Sequence, residues 1–123
     1  MKIFLILGAI NAVLAVALGA FGAHGLEGKI SAKYLEVWKT GVLYHMFHAF
    51  GLFIVAFLAG RFPESSLIQA SGWVMLIGIL LFSGSLYVLS TSGIKILGAV
   101  TPFGGVAFIV AWILIIIAAV KWL

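Results

Sequence analysis

The sequence predicts an all-α integral membrane protein with four transmembrane helices and a short interfacial amphipathic helix between helices 1 and 2. Three observations carry this. Four stretches, residues 3–26, 40–60, 65–94 and 96–120, hold no charged side chain, and each reaches the roughly 20 apolar residues a helix needs to cross about 30 Å of hydrocarbon. The chain is 65% hydrophobic and 8% charged, far from the usual soluble balance of about half apolar and a quarter charged. Its 123 residues leave only the segment around Glu27 to Lys39 as a sizeable extramembrane piece. The whole chain, 1–123, therefore reads as one transmembrane domain with approximate spans 3–23, 40–60, 67–89 and 102–121.

The first span carries a seam of small residues at Gly8, Ala12, Ala15, Gly19 and Gly22. Spacings of three and four put them on one helix face. Such a seam lets another backbone approach closely, which drives helix association where lipid offers no hydrophobic force. Asn11 sits near mid-span, so its amide is expected to bond across to another helix as structural glue. Lys2 ahead of the apolar run, and the small residues Ala20 to Ala23 at its end, resemble a signal peptide. The run is longer than a usual signal core, so a retained helix is expected.

Between spans one and two, Ser31 is placed to cap a helix with Ile30, Tyr34, Leu35 and Trp38 on one side and Lys29, Lys33 and Glu36 on the other. That segment is expected to lie in the headgroup layer and turn into span two. Arg61, Phe62 and Pro63 end the second span. In the third, Ser71, Gly78 and Ser85 recur every seven residues, a second packing seam. The run Ser90 to Gly93 breaks that helix. Thr101 followed by Pro102 reads as an N-cap and first-turn proline opening span four, where Gly104 and Gly105 would permit tight packing. Trp112 is internal, and Lys121 with Trp122 anchors the far end.

Composition excludes several function classes. The net charge of +4 comes from basic residues scattered at span ends, where anionic headgroups meet them, so no nucleic-acid partner is expected. Cysteine is absent, which removes disulfides, thiolate metal sites and a Cys nucleophile. Aspartate is absent too, and Ser83-Gly84-Ser85 lacks the strand and flanking glycines of a nucleophile elbow, so no hydrolase and no catalytic residue is expected. Gly19, Gly22 and Gly25 match a phosphate loop in spacing alone; packing is the better account.

The polar residues of interest are the three histidines. His45 and His48 share a face of span two, and His24 ends span one on the side where span two begins. A convergent cluster of His24, His45 and His48 is geometrically possible in the layer that also holds Tyr44, Tyr87, Thr101 and Lys95. Three imidazoles could ligate a metal or relay protons. Hydrogen-bonded structural histidines are the plainer reading, and no metal or other cofactor is expected.

Several words of the sequence are distinctive: Gly19-Ala20-Phe21-Gly22-Ala23-His24-Gly25-Leu26, then Tyr44-His45-Met46-Phe47-His48-Ala49, then Phe82-Ser83-Gly84-Ser85-Leu86-Tyr87, then Thr101-Pro102-Phe103-Gly104-Gly105 and Trp112. In this order, over essentially the whole chain, they resemble the YwdK/YgdD family of small membrane proteins. The resemblance implies a four-helix protein of the bacterial cytoplasmic membrane and supplies no activity. In the family pattern the position of His45 is often glutamine, which implies a hydrogen-bonding residue there rather than a ligand.

The function expected is therefore non-enzymatic: a structural or lipid-interacting role in the cell envelope, with membrane lipids and further copies of the chain as partners. The ligand site expected is a lipid-headgroup or small polar ligand site, with His24 and His48 as hydrogen-bonding groups and Lys95 or Lys39 as charge. The alternatives are a small oligomeric transporter or channel using the histidine layer, and a metal-binding or His-dependent membrane enzyme with Glu27 folded onto His24. Lys2, Arg61 and Lys121 on the terminal side nearly balance Lys29, Lys33, Lys39 and Lys95 on the other, with a slight lean towards cytoplasmic termini.

Overall fold

The computed structural model describes residues 1–122. Helix α1 spans Lys2–Phe21 and continues as a π-helical turn, Gly22–Leu26; α2 spans Ala32–Arg61. Helix α3, Ser66–Ile79, passes through a second π-helical turn, Leu80–Gly84, into α4, Ser85–Ser92, and α5 spans Leu97–Trp122. The described residues thus form four long rods, and each is long and apolar enough to cross a membrane. The molecule is a multi-pass membrane protein, in agreement with the fold class read from the sequence.

Local chemistry sets the breaks. Ser31 caps α2, its Oγ accepting from the Tyr34 amide at 3.1 Å, and Ser65 caps α3 by accepting from the Ile68 amide at 3.3 Å. Gly93 ends α4 in the left-handed region at φ 73°, its amide returning to the Leu89 carbonyl at 2.8 Å.

Three features differ from the sequence reading. The helix after Ser31 is not a separate interfacial element but the first two turns of α2, which runs without interruption for 30 residues. No proline or glycine breaks it before Gly41, and Trp38 fastens it against α1 by donating from Nε1 to the Leu18 carbonyl at 2.9 Å. Thr101 is not an N-cap. Successive turn bonds, Leu97 to Ile94, Gly98 to Lys95 and Ala99 to Ile96, start α5 earlier, so Pro102 lies inside the helix. Third, the span after Ser65 is not uniformly α-helical. Its π-helical turn re-aims the chain around Phe82 and Ser83, and Ser83 Oγ donates to the Gly41 carbonyl of α2 at 2.7 Å.

Helix α1 packs chiefly on α2, α2 on α3 and α4, and α3 and α4 on α5. Phe4, Leu52, Val55, Met75, Phe108 and Ala111 form the centre. Close approach is made by glycines with bulky partners. Phe4 of α1 fills the space over Gly72, where a Cβ would collide with its ring, and Trp38 fills the space over Gly22. Gly8 faces Phe53 and the Ala49 carbonyl, Ala15 is fully buried, Ala12 half-buried, and Gly19 faces Val42. The small-residue face of α1 is thereby occupied by α2 of the same chain. Ser71 is buried with its hydroxyl on the Ile68 carbonyl, Gly78 faces Phe108, and Ser85 Oγ meets Thr101 Oγ1 at 2.6 Å. The outer faces carry exposed apolar side chains such as Val13, Phe57 and Val120, the reverse of a soluble domain and suited to lipid.

Candidate functional site

Both intramembrane histidines sit near the middle of α2, three residues apart, and turn to different neighbours. His45 Nε2 lies 2.9 Å from Asn11 Oδ1, and its Nδ1 lies 2.9 Å from the Tyr87 hydroxyl. Asn11 uses its amide nitrogen to donate to the Leu7 carbonyl at 2.8 Å, which leaves Oδ1 as an acceptor. The bonds therefore assign directions: Tyr87 O–H donates to Nδ1, and Nε2–H donates to Asn11. This line of side chains joins α4, α2 and α1 through a neutral imidazole.

His48 has the opposite tautomer. Trp112 Nε1–H of α5 donates to His48 Nε2 at 3.0 Å, so the ring proton sits on Nδ1 and is given to the Tyr44 carbonyl at 2.8 Å. The imidazole also lies flat on Phe108, with ring centroids 3.5 Å apart and planes within 6°. Each imidazole thus has both nitrogens engaged, and neither offers a free lone pair to a metal unless a bond breaks. His24 is exposed on the π-helical turn that ends α1, without a hydrogen bond to either ring. Among the described residues no set of three His, Cys, Asp or Glu side chains is placed to hold a metal ion, so the three-histidine cluster is not formed. Glu27 is exposed, and Glu36 pairs with Lys39 at 3.6 Å, also in the open. Every buried side-chain nitrogen or oxygen among the described residues has a partner.

Beside His48 the helices part. Between α2 and α5 runs a groove of about 740 Å³, with Phe82 of the π-helical turn as a shared contact and Tyr44, His48, Phe108 and Trp112 along its walls. The ring centroids of Tyr44 and Phe82 are 4.5 Å apart, those of Phe82 and Phe108 5.6 Å, and those of Phe47 and Trp112 5.8 Å. Leu43, Phe47, Val106 and Ile109 line its exposed rim, so the groove opens on the side of the bundle through an apolar edge suited to lipid.

The glycine pair of α5 divides its work. At Gly104 a Cβ would collide with the Phe82 backbone, so this residue is where α5 closes on the π-helical turn. Gly105, expected from the sequence to be a packing residue, is not one. A Cβ there meets only the Phe82 ring at 3.9 Å, an ordinary contact, and the missing side chain leaves the groove open.

Of the residues expected to form a ligand site, Tyr44 and His48 line the groove, while His45 and Tyr87 belong to the network behind it. Thr101 bonds to Ser85, and Lys95 and His24 are exposed and line no part of it. Sequence reading missed Phe82, Phe47 and Phe108 as wall residues. The available signal was the recurrence of aromatics four apart, Tyr44 with His48 and Phe108 with Trp112, next to a glycine pair.

A family model described as "Protein of unknown function (DUF423)" matches residues 18–105. The chain is 67% identical to UPF0382 membrane protein YwdK of Bacillus subtilis (strain 168), over 100% of both sequences. It is 48% identical to UPF0382 membrane protein SERP0230 of Staphylococcus epidermidis, over 99% of this chain and 98% of that one. It is 50% identical to UPF0382 membrane protein SSP2132 of Staphylococcus saprophyticus, over 98% and 99%. No solved structure matches it.

Proposed function

The chain belongs to the DUF423 family of UPF0382 membrane proteins, and from that premise we propose that it is a non-enzymatic, lipid-interacting protein of the bacterial cell membrane with both termini in the cytoplasm. Its task in this reading is to hold the apolar part of a molecule dissolved in the bilayer. The observation that carries the reading is the α2–α5 groove, apolar, about 740 Å³ and open to the side. Leaving lipid for such a groove gains little hydrophobic energy, because both surroundings are apolar. Discrimination then comes from close contact with shaped walls, where many weak dispersion contacts add up.

The transporter alternative draws less support. Its buried pathway groups, His45, His48, Asn11 and the span-three serines, satisfy one another, neighbouring side chains or the backbone within the chain, and the line from Tyr87 through His45 ends on the Leu7 carbonyl. Self-association remains part of the reading, through a lipid-facing surface, because the α1 seam is already covered by α2.

The test is photo-crosslinking in nanodiscs with phosphatidylglycerol carrying a diazirine in the acyl chain, followed by peptide mapping. Crosslinks concentrated on residues 43–48 and 105–112 are expected. Labelling spread evenly over all exposed helix faces would sink the reading.

A further inference from the structure

Resting on that reading of the groove, we propose that its occupant is the head ring of an isoprenoid quinone, a flat, neutral, electron-poor ring with two carbonyl acceptors and an apolar tail. The walls are the first argument. A saturated acyl chain is held equally well by leucine and isoleucine, yet Tyr44, Phe47, Phe82 and Trp112 are among the residues that line this space, together with His48 and Phe108, which are stacked on each other and almost fully buried. Aromatic faces carry the negative part of a quadrupole and so complement a ring depleted of electrons.

The Tyr44 hydroxyl is the second. Tyr44 lines the groove and is exposed, and its hydroxyl makes no hydrogen bond among the described residues, whereas the buried polar side chains around it are all partnered. Tyr44 lies a turn inside the uncharged stretch of α2, and a molecule seated in the groove beside it can offer that O–H an acceptor. A ring carbonyl is the complement of that O–H.

Charge argues the same way. No charged side chain lines the groove, so a phosphate-bearing headgroup finds no counter-charge there, and Lys39 and Lys95 are exposed outside it. Room is the last argument. The volume lies within the roughly 300–1,000 Å³ of small-molecule sites, Gly105 keeps it free, and the sideways opening lets a tail run out among the acyl chains.

Native mass spectrometry tests this on the full chain released from phosphatidylethanolamine and phosphatidylglycerol nanodiscs doped with menaquinone-4. One menaquinone-4 per chain is expected in the wild type. Gly105→Leu, which puts a side chain into the groove from a position where a Cβ meets only the Phe82 ring, is expected to lower occupancy at least tenfold. Val106→Trp, at an exposed rim position, gives the same block if the first variant folds poorly by circular dichroism. Tyr44→Phe is expected to weaken binding about fivefold, the weight of one hydrogen bond. Menaquinone-4 retained equally by the blocked variants overturns the assignment. Phospholipid retained in a Gly105-dependent way without menaquinone-4 overturns the quinone and leaves the lipid-groove reading standing. Retention of neither overturns both.

Discussion

Trp112 Nε1 lies 3.0 Å from His48 Nε2 and is the hydrogen bond that joins α5 to α2 across the back of the groove. Its removal strands an imidazole acceptor in an apolar interior. Trp112→Phe is therefore expected to lower stability by about 1 kcal/mol, the scale of interhelical hydrogen bonds in membranes, beyond any loss from reduced ring volume. Comparing its unfolding in a detergent-denaturant titration with that of the Trp112→Phe, His48→Phe double variant checks this. Simple additivity of the two single effects would show the bond to be worth nothing.

The other histidine makes a different prediction, because His45 both donates and accepts. Glutamine can do both as well, with its amide towards Asn11 and its carbonyl towards the Tyr87 hydroxyl. His45→Gln should keep most of the stability, and His45→Leu should lose about 1–2 kcal/mol by leaving Asn11 and Tyr87 unpaired. Equal losses from the two substitutions would contradict the assigned network.

Adjacent glycines should respond oppositely to one methyl group. Gly104→Ala drives a Cβ into the Phe82 backbone, and overpacking of this kind costs about 1–3 kcal/mol. Gly105→Ala meets only ordinary contact and should melt with the wild type. Thermal unfolding followed by circular dichroism reads both, and a Gly105→Ala variant as damaged as Gly104→Ala would mean the groove is not open there.

Placement of the termini is checked by labelling. The chain has no cysteine, so single cysteines at Glu64 and at Gly28 report opposite sides without background. With cytoplasmic termini, a membrane-impermeant maleimide added to whole cells should modify the position-28 variant and spare the position-64 variant. The reverse pattern would invert the orientation.

The four rods were legible because the length and continuity of uncharged stretches are properties of the sequence itself. Helix edges were less so. Thr101-Pro102 has the form of a cap, yet the turn through Ile94 to Ala99 starts the helix first, and only the contact of Ser85 with Thr101 records why that end is held. Periodicity placed His45 and His48 on one face of span two but not which helix each meets, since a rotation of about 60° between them is enough to send one to Asn11 and the other to Trp112. His24 shares a membrane side with them in the sequence, and that is a much weaker statement than contact. The groove itself is a gap between α2 and α5. No residue encodes a gap, and Gly105 differs from Gly104 only by what stands opposite.

Helix α2 runs unbroken from Ala32–Arg61, a rod about 45 Å long where the hydrocarbon layer is about 30 Å thick. With no hinge between its charged first turns and the two imidazoles, a thinner or thicker bilayer is met only by leaning or sliding the whole rod. The depth of the groove wall in the membrane is thus mechanically tied to where Lys33, Glu36 and Lys39 ride at the surface.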